Sequence, residues 1–444
     1  MTSRILAPAL ALVAACSGNA ARTAEVAAFP AAARTELDIV LVIDNSASVA
    51  DHQQGLAAAL PDLFAALAAR PGGLPDLHIG VTTSDLGTSG VGFPGHPAPA
   101  IGTPGQSGGC GGPGDGGAFL VRGGANVAGT FISDVAAGSG ARLTNYSGDL
   151  STQLATMITG VGASGCGFEQ SLAAVEAAFA NPANTGFRRA DAGLAVLVQS
   201  DEDDCSVRDP AFFDASDTGP LGKLESFRCT TQGVTCAEAL DAAGPKTACE
   251  PTVGNGYMAD TSELVAAVTT AEPDPVRRAV AAIIAPPTPF AIELRSPGAG
   301  AAATPALAHS CTYTDGNDAL EVADPAVRTT AWASALGGAT YSICVTDYAP
   351  IASAFAKQLL AVVDGDPCIH GRLAGGAATI CTVLEDSTPV PDCATATAGA
   401  TCWKLVADAQ VCAGTETALR VEIDRTTPGT PAATIRVACE LAGS

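Results

Sequence analysis

With 444 residues, the chain has room for one large domain or two to three ordinary ones. Its apolar fraction is 47% but aromatics are only 5%, and 49 glycines with 29 prolines imply many loops. A formal net charge of −23 excludes a nucleic-acid binder that works by neutralising phosphates, since the chain carries no basic patch.

The first residues, MTSRILAPALALVAAC, carry one arginine and then an apolar run from Ile5 to Ala15. That run is too short to span a bilayer and suits the apolar segment of a secretory signal. Val13-Ala14-Ala15-Cys16 resembles a bacterial lipobox. The expectation is a signal peptide over 1–15 and a lipidated Cys16, with an ordinary signal peptide cleaved at a nearby Ala-X-Ala site as the competing reading. By resemblance to Gram-negative sorting rules, Ser17 points to an outer-membrane lipoprotein facing the periplasm or the cell surface. Several acyl chains would make that membrane anchor firm.

Of fifteen cysteines, fourteen remain after Cys16. An even count in an exported chain implies up to seven disulfides. No Cys-X-X-Cys pair occurs, and the histidines at 52, 78, 96, 309 and 370 are scattered. A structural zinc site is therefore not expected.

Residues 16–36 are small and polar, without a clean period, and read as a flexible tether. LDIVLVI at 37–43 reads as a strand covered on both faces. Leu56, Leu60, Leu63, Phe64 and Leu67 fall at helical spacing, with Pro61 as a point of bending. DLHIGVTTSDLG at 76–87 returns as strand and loop, completing a βαβ unit. A glycine-rich insertion follows at about 86–130; it lacks both the phosphate-cradling G-x-x-x-x-G-K-[ST] and a helix-opening Rossmann fingerprint. Helices are expected at 149–159 and within 162–180. LAVLVQ at 194–199 is a buried strand. A cysteine-bearing insertion spans 205–260, then RRAVAAIIA at 277–285 reads as strand, 324–336 as helix, 340–346 as strand and 349–363 as a closing helix. This alternation predicts an α/β domain over 37–363 with a doubly wound, mostly parallel sheet. Residues 364–444 hold six cysteines in short turn-rich segments and predict a small disulfide-braced β module; its fifteen possible pairings stay open.

The chemistry concentrates after two buried strands. In Asp44-Asn45-Ser46-Ala47-Ser48, alternate residues offer one carboxylate and two hydroxyls. These hard oxygen donors suit Mg²⁺, Mn²⁺ or Ca²⁺ with waters completing the shell. The competing reading is a plain Asp/Ser turn with Ser48 capping the helix from Val49. Gln199-Ser200-Asp201-Glu202-Asp203-Asp204 also follows a strand. Neighbouring central strands bring such loops together at their carboxyl ends, which makes Asp201 the second carboxylate; Asp203 and Asp204 read as capping or solvent-facing.

D-x-S-x-S after LDIVLVI, with Asp201 after AVLVQS, resembles the metal-ion-dependent adhesion site of von Willebrand factor type A (VWFA) domains, over roughly residues 37–363. The resemblance implies a metal set of Asp44, Ser46, Ser48 and Asp201. It also implies a hydroxyl from the loop before the middle helix. That loop lacks a clean threonine, so Ser164 takes the role, ahead of the less well placed Thr159. HIGVTTSDLG, GCGFEQSLAAVEAAF and LVQSDEDDCS resemble a cysteine-rich secreted lipoprotein subgroup of the superfamily, found in myxobacteria and relatives. Alongside this resemblance, Cys110–Cys166 and Cys311–Cys344 are the disulfides expected to fasten loops to the body.

The function expected is cation-assisted binding of a protein or cell-surface ligand through an acidic side chain, without catalysis. The alternatives are a scaffold with a degenerate site and an extracytoplasmic hydrolase. The hydrolase reading lacks a G-x-S-x-G elbow and a well-placed base, with His52 expected to face solvent.

Overall fold

The computed structural model describes residues 22–70, 72–88, 98–106, 108–137, 140–215, 219–296, 303–315, 319–375, 380–409, 412, 415–430 and 433–442. The segment read as signal peptide, and Cys16 with it, lies outside them. The chain divides into two units: one of residues 32–365, the other of the N-terminal segment to Ala31 together with residues 366–444.

Among the described residues of the larger unit, seven strands form the central sheet. They are β1 (Glu36–Ile43), β2 (Asp76–Thr83), β3 (Ile132–Ala136), β4 (Arg142–Thr144), β5 (Gly193–Gln199), β6 (Arg278–Ile284) and β7 (Ala339–Ser342). The order across the sheet is β7-β6-β5-β1-β2-β3-β4. The five strands from β7 to β2 run parallel, and β3 and β4 add antiparallel at one edge. This is the mixed α/β, doubly wound arrangement expected from the alternation of elements.

The lack of alternation in LDIVLVI has a direct cause. Leu37, Ile39, Leu41 and Ile43 pack into one core with α1 (Ala50–Ala68), α2 (Leu150–Gly160) and α7 (Ala349–Asp364). Val40 and Val42 pack into a second core with α3 (Ser171–Ala180), α5 (Thr261–Ala271) and α6 (Val327–Ala335). Helices on both faces of a parallel sheet require apolar residues at every strand position. Pro61 leaves α1 unbroken. Pro61 and Asp62 lie on the exposed side, where a helix tolerates a lost hydrogen bond by curving around its core. At the opposite end of β1 from the Asp/Ser loop, the fully buried Asp38 is neutralised by Arg188 at 3.1 Å and Arg189 at 2.8 Å.

The 205–260 insertion carries a short helix α4 (Phe227–Gly233) and brief strands, and is braced by Cys205–Cys229 and Cys236–Cys249. Cys110–Cys166 and Cys311–Cys344 are also bonded, as expected. No helix among the described residues is long and apolar enough to cross a membrane.

The smaller unit corrects the tether expected at 16–36. Arg22–Pro30 is a strand, antiparallel to Thr434–Leu441, which in turn pairs with Cys381–Glu385 and through it with Thr388–Val390. A bulge between Glu25 and Ala27 puts the neighbours Val26 and Ala27 both in buried positions. The period-two pattern that marks a strand is thereby broken. Trp403, Val421, Ile435 and Val437 complete its core. Cys368–Cys412, Cys381–Cys439 and Cys393–Cys402 select one of the fifteen pairings.

Candidate metal centre

The sheet reverses its direction of growth between β1 and β5, and such a switch point opens a crevice at the carboxyl ends of the strands. Ile43 is level with Gln199 on one side and Thr83 on the other. Asp44, Ser200 and Ser84 therefore leave the sheet together. The Asp44 N–H donates to the Gln199 carbonyl at 2.9 Å.

Asp44 is fully buried. Its Oδ1 accepts from the Ser46 N–H at 2.8 Å and from the Ser84 hydroxyl at 3.3 Å. Its Oδ2 accepts from the Ser200 hydroxyl at 2.6 Å. The Ser46 and Ser48 hydroxyls lie 3.5 Å apart. Ser46 is buried and Ser48 exposed, so the centre opens to solvent on the Ser48 side. Ser48 does not cap α1: the capping position is Val49, with no side-chain bond. Asp201 is 3% exposed. The Ser48 hydroxyl favours its charged form, and the Asp201 Oδ1 has no hydrogen-bond partner among the described residues.

The surrounding loops are fixed by amides. The Gln53 Nε2 donates to the Asp44 carbonyl at 2.7 Å and to the Gly162 carbonyl at 2.8 Å, tying α1 to the loop after α2. Gly165 donates its N–H to the Asn45 carbonyl at 2.7 Å. A β-carbon there would stand 2.3 Å from Asn45 Oδ1, so this close approach demands glycine. His52, expected at the surface, is buried. It follows the apolar side of α1 inward, and its Nδ1 sits 3.1 Å from the Tyr348 hydroxyl and 3.3 Å from that of Tyr313.

The acidic run after β5 divides its labour. Asp203 accepts the N–H groups of Val327, Arg328 and Thr329 at the start of α6, at 2.9, 2.9 and 3.1 Å. Asp204 pairs with the buried Arg328 at 3.1 Å and receives the Leu172 N–H of α3 at 2.9 Å. Both are helix-terminus acceptors of the kind helix dipoles favour. Asp201 and Glu202 are left to the centre. Glu202 and Glu169, the latter from the loop before α3, act on one another as neighbouring acids.

Of the residues read from the sequence, Asp44, Ser46, Ser48 and Asp201 come together. Ser164 is exposed, and the Thr159 hydroxyl donates to the Ala155 carbonyl at 2.9 Å within its own helix. From that loop the acidic neighbour of Asp44 and Asp201 is Glu169. Glu169 and Glu202 were missed because a glutamate beside a helix start, and one inside an acidic run, both read as solvated.

Burial raises the carboxyl of Asp44, against hydrogen bonds from Ser200, Ser46 and Ser84 that lower it. Burial first and the charge of Asp44 second push Asp201 up to about 8. Glu169 and Glu202 are raised well above the usual range by burial and by repulsion from their acidic neighbours. Buried acids with no base beside them among the described residues fit a divalent cation: two carboxylates and two hydroxyls are hard donors, and the Asp201 Oδ1 is open as a ligand atom. At a separate place, Asp51, Asp315 and Glu321 each bring a carboxylate oxygen within 4.8 Å of the others, a spacing that a divalent ion can bridge.

No protein-family model matches the chain, and no curated protein matches it. Among solved structures, the pilus adhesin SpaC from Lactobacillus rhamnosus GG, in its open conformation, is similar at 9% identity with a TM-score of 0.28. The match covers 92% of this chain and 39% of that adhesin, so the chain spans well under half of that protein's length. A similarity at this level carries no argument about function.

Proposed function

We propose that the larger unit is a VWFA-like binding domain whose adhesion centre uses a divalent cation, held by Asp44, Ser46, Ser48 and Asp201, to attach a protein or cell-surface ligand. The observation that carries this reading is the pair of buried carboxylates at the switch point, one with an oxygen that has no hydrogen-bond partner among the described residues. A buried acid in that condition costs free energy, and a cation removes the cost. Bound there, Mg²⁺, Mn²⁺ or Ca²⁺ would supply positive charge at a surface otherwise strongly acidic. A partner carboxylate completing its shell would be drawn to a molecule that otherwise repels it.

Catalysis is not part of the proposal. His52 is directed at two tyrosines, and the buried cysteines around the site are in disulfides. The lipid anchor on Cys16 and an outer-membrane location belong to the same proposal and rest on the sequence of the first sixteen residues.

The test is calorimetric titration of the full chain with Mg²⁺, Mn²⁺ and Ca²⁺, alongside Asp44→Ala. Saturable binding that disappears in the variant is expected. Binding of equal strength in both proteins would overturn the proposal. A lysine at Asp44 is likewise expected to abolish cation-dependent attachment to a carboxylate-coated surface.

A further inference from the structure

We propose that a cavity beside the metal centre takes a basic side chain, lysine or arginine, of the protein ligand. This rests on the binding reading above and names the chemistry that the ligand carries next to its carboxylate.

The cavity has a volume of about 280 Å³. Small-molecule and cofactor sites run to roughly 300–1,000 Å³, so this one suits a single long side chain. It lies against the loop that carries Asp201. Glu202, the next residue, lines it, and so does Asp324, whose N–H donates to the Asp201 carbonyl at 2.8 Å. A ligand attached at the centre therefore has its neighbouring side chain in reach of this cavity.

The wall has two characters. The strand Thr304–Leu307 supplies Pro305, Ala306 and Leu307, and α4 supplies Phe227. Lysine and arginine lay their methylene stems along such apolar surface and keep the charge at the tip. An aromatic ring adds attraction for a cation. The acids make up the other half. Among the described residues, Glu202 and Glu225 form no ion pair. Arg295, the arginine of the lining, is bonded to Glu293, to the Leu307 carbonyl and to His309. Asp203 and Asp204 are occupied by the start of α6 and by Arg328. The cavity thus joins apolar walls to two uncompensated carboxylates, and the charge complementary to it is positive. A cationic group arriving there favours the charged form of both acids. The net charge of −23 also draws a basic partner in from a distance.

The experiment follows the methyl resonances of Ala306 and Leu307 in the full chain, with metal chelated, during titration with Nα-acetyl-lysine amide. Saturable shifts are expected. The norleucine analogue, which keeps an apolar stem and lacks the ammonium, should produce none. Glu202→Gln should weaken lysine binding about tenfold and the exposed Glu225→Gln about threefold. Glu321→Gln, in the separate acidic trio, should bind as wild type, and so should Asp44→Ala. Mg²⁺ titration of the same variants shows that they are folded. Absence of shifts with lysine, equal shifts with norleucine, or undiminished binding in Glu202→Gln and Glu225→Gln would overturn the cavity's role and leave the metal centre standing. Tighter binding of a free diamine, putrescine, than of the lysine amide would overturn a protein source for the amine. Lysine binding in a chain that takes up no Mg²⁺ would support the cavity and overturn the centre.

Discussion

Consider replacing Asp201 with asparagine. The change keeps the shape and an oxygen able to accept from Ser48, and removes one of two neighbouring buried charges. The folded-state pKa of Asp201, about 8, stands above the unfolded value. Between the two, the native state holds more protons than the unfolded state, so metal-free stability falls as pH rises. Roughly four pKa units correspond to a ceiling of about 5 kcal/mol at pH 8. Relaxation of the loops and sharing of the proton with Asp44 bring the expected gain in Asp201→Asn to about 2–3 kcal/mol. For a unit this large that is a rise of about 4 °C in the unfolding temperature. The assay is thermal unfolding after chelation, at pH 8 and near pH 4, followed by addition of Mg²⁺. Asp201→Asn should melt higher than wild type at pH 8 and equally near pH 4. Millimolar Mg²⁺ should stabilise wild type, by about 2.7 kcal/mol at a hundredfold excess over Kd, and leave the variant unchanged. A metal-free variant that melts lower at pH 8, or one that Mg²⁺ stabilises as much as wild type, would refute the reasoning.

Three further outcomes are expected. Ser46→Ala with Ser48→Ala should weaken cation affinity about tenfold, or about 1.4 kcal/mol, in the same calorimetric titration, with little change in metal-free stability. Asp203→Ala removes the acceptor for three N–H groups at the start of α6 and should cost about 1–2 kcal/mol in denaturant unfolding. Burial lowers His52 to about 4, below its unfolded value; the unfolded state then gains the proton first as pH falls. Stability should be lost between about pH 6.5 and pH 4, by up to about 3 kcal/mol, and His52→Gln should flatten that part of the pH profile.

The sequence made the larger unit legible because its signals are local and mutually consistent. Apolar runs bounded by Asp/Ser loops, alternating with amphipathic stretches, define a parallel sheet covered on both faces. Asp44, Ser46, Ser48 and Asp201 were legible for the same reason, each at a fixed offset from a strand end. Glu169 was not, because only the packed loops bury it beside other acids. His52 deceived because a polar residue on a first helical turn reads as solvated, whereas here Tyr313 and Tyr348 meet it inside. The strand at Arg22–Pro30 was hidden twice over, by its bulge and by a partner at the far end of the chain.

That pairing sets an order of events in synthesis. The first described strand is bonded to the last, and Thr434–Leu441 lies at the centre of that sheet, between Arg22–Pro30 and Cys381–Glu385. Everything from Ala32 to Gly365 is produced between the two halves of the smaller unit. The larger unit can therefore collapse first, while the smaller one waits for Thr434–Leu441. A copy stopped before Cys439 also leaves Cys381 without its partner. Such a copy carries an unpaired thiol and an open sheet edge, both marks by which an unfinished chain is told from a finished one.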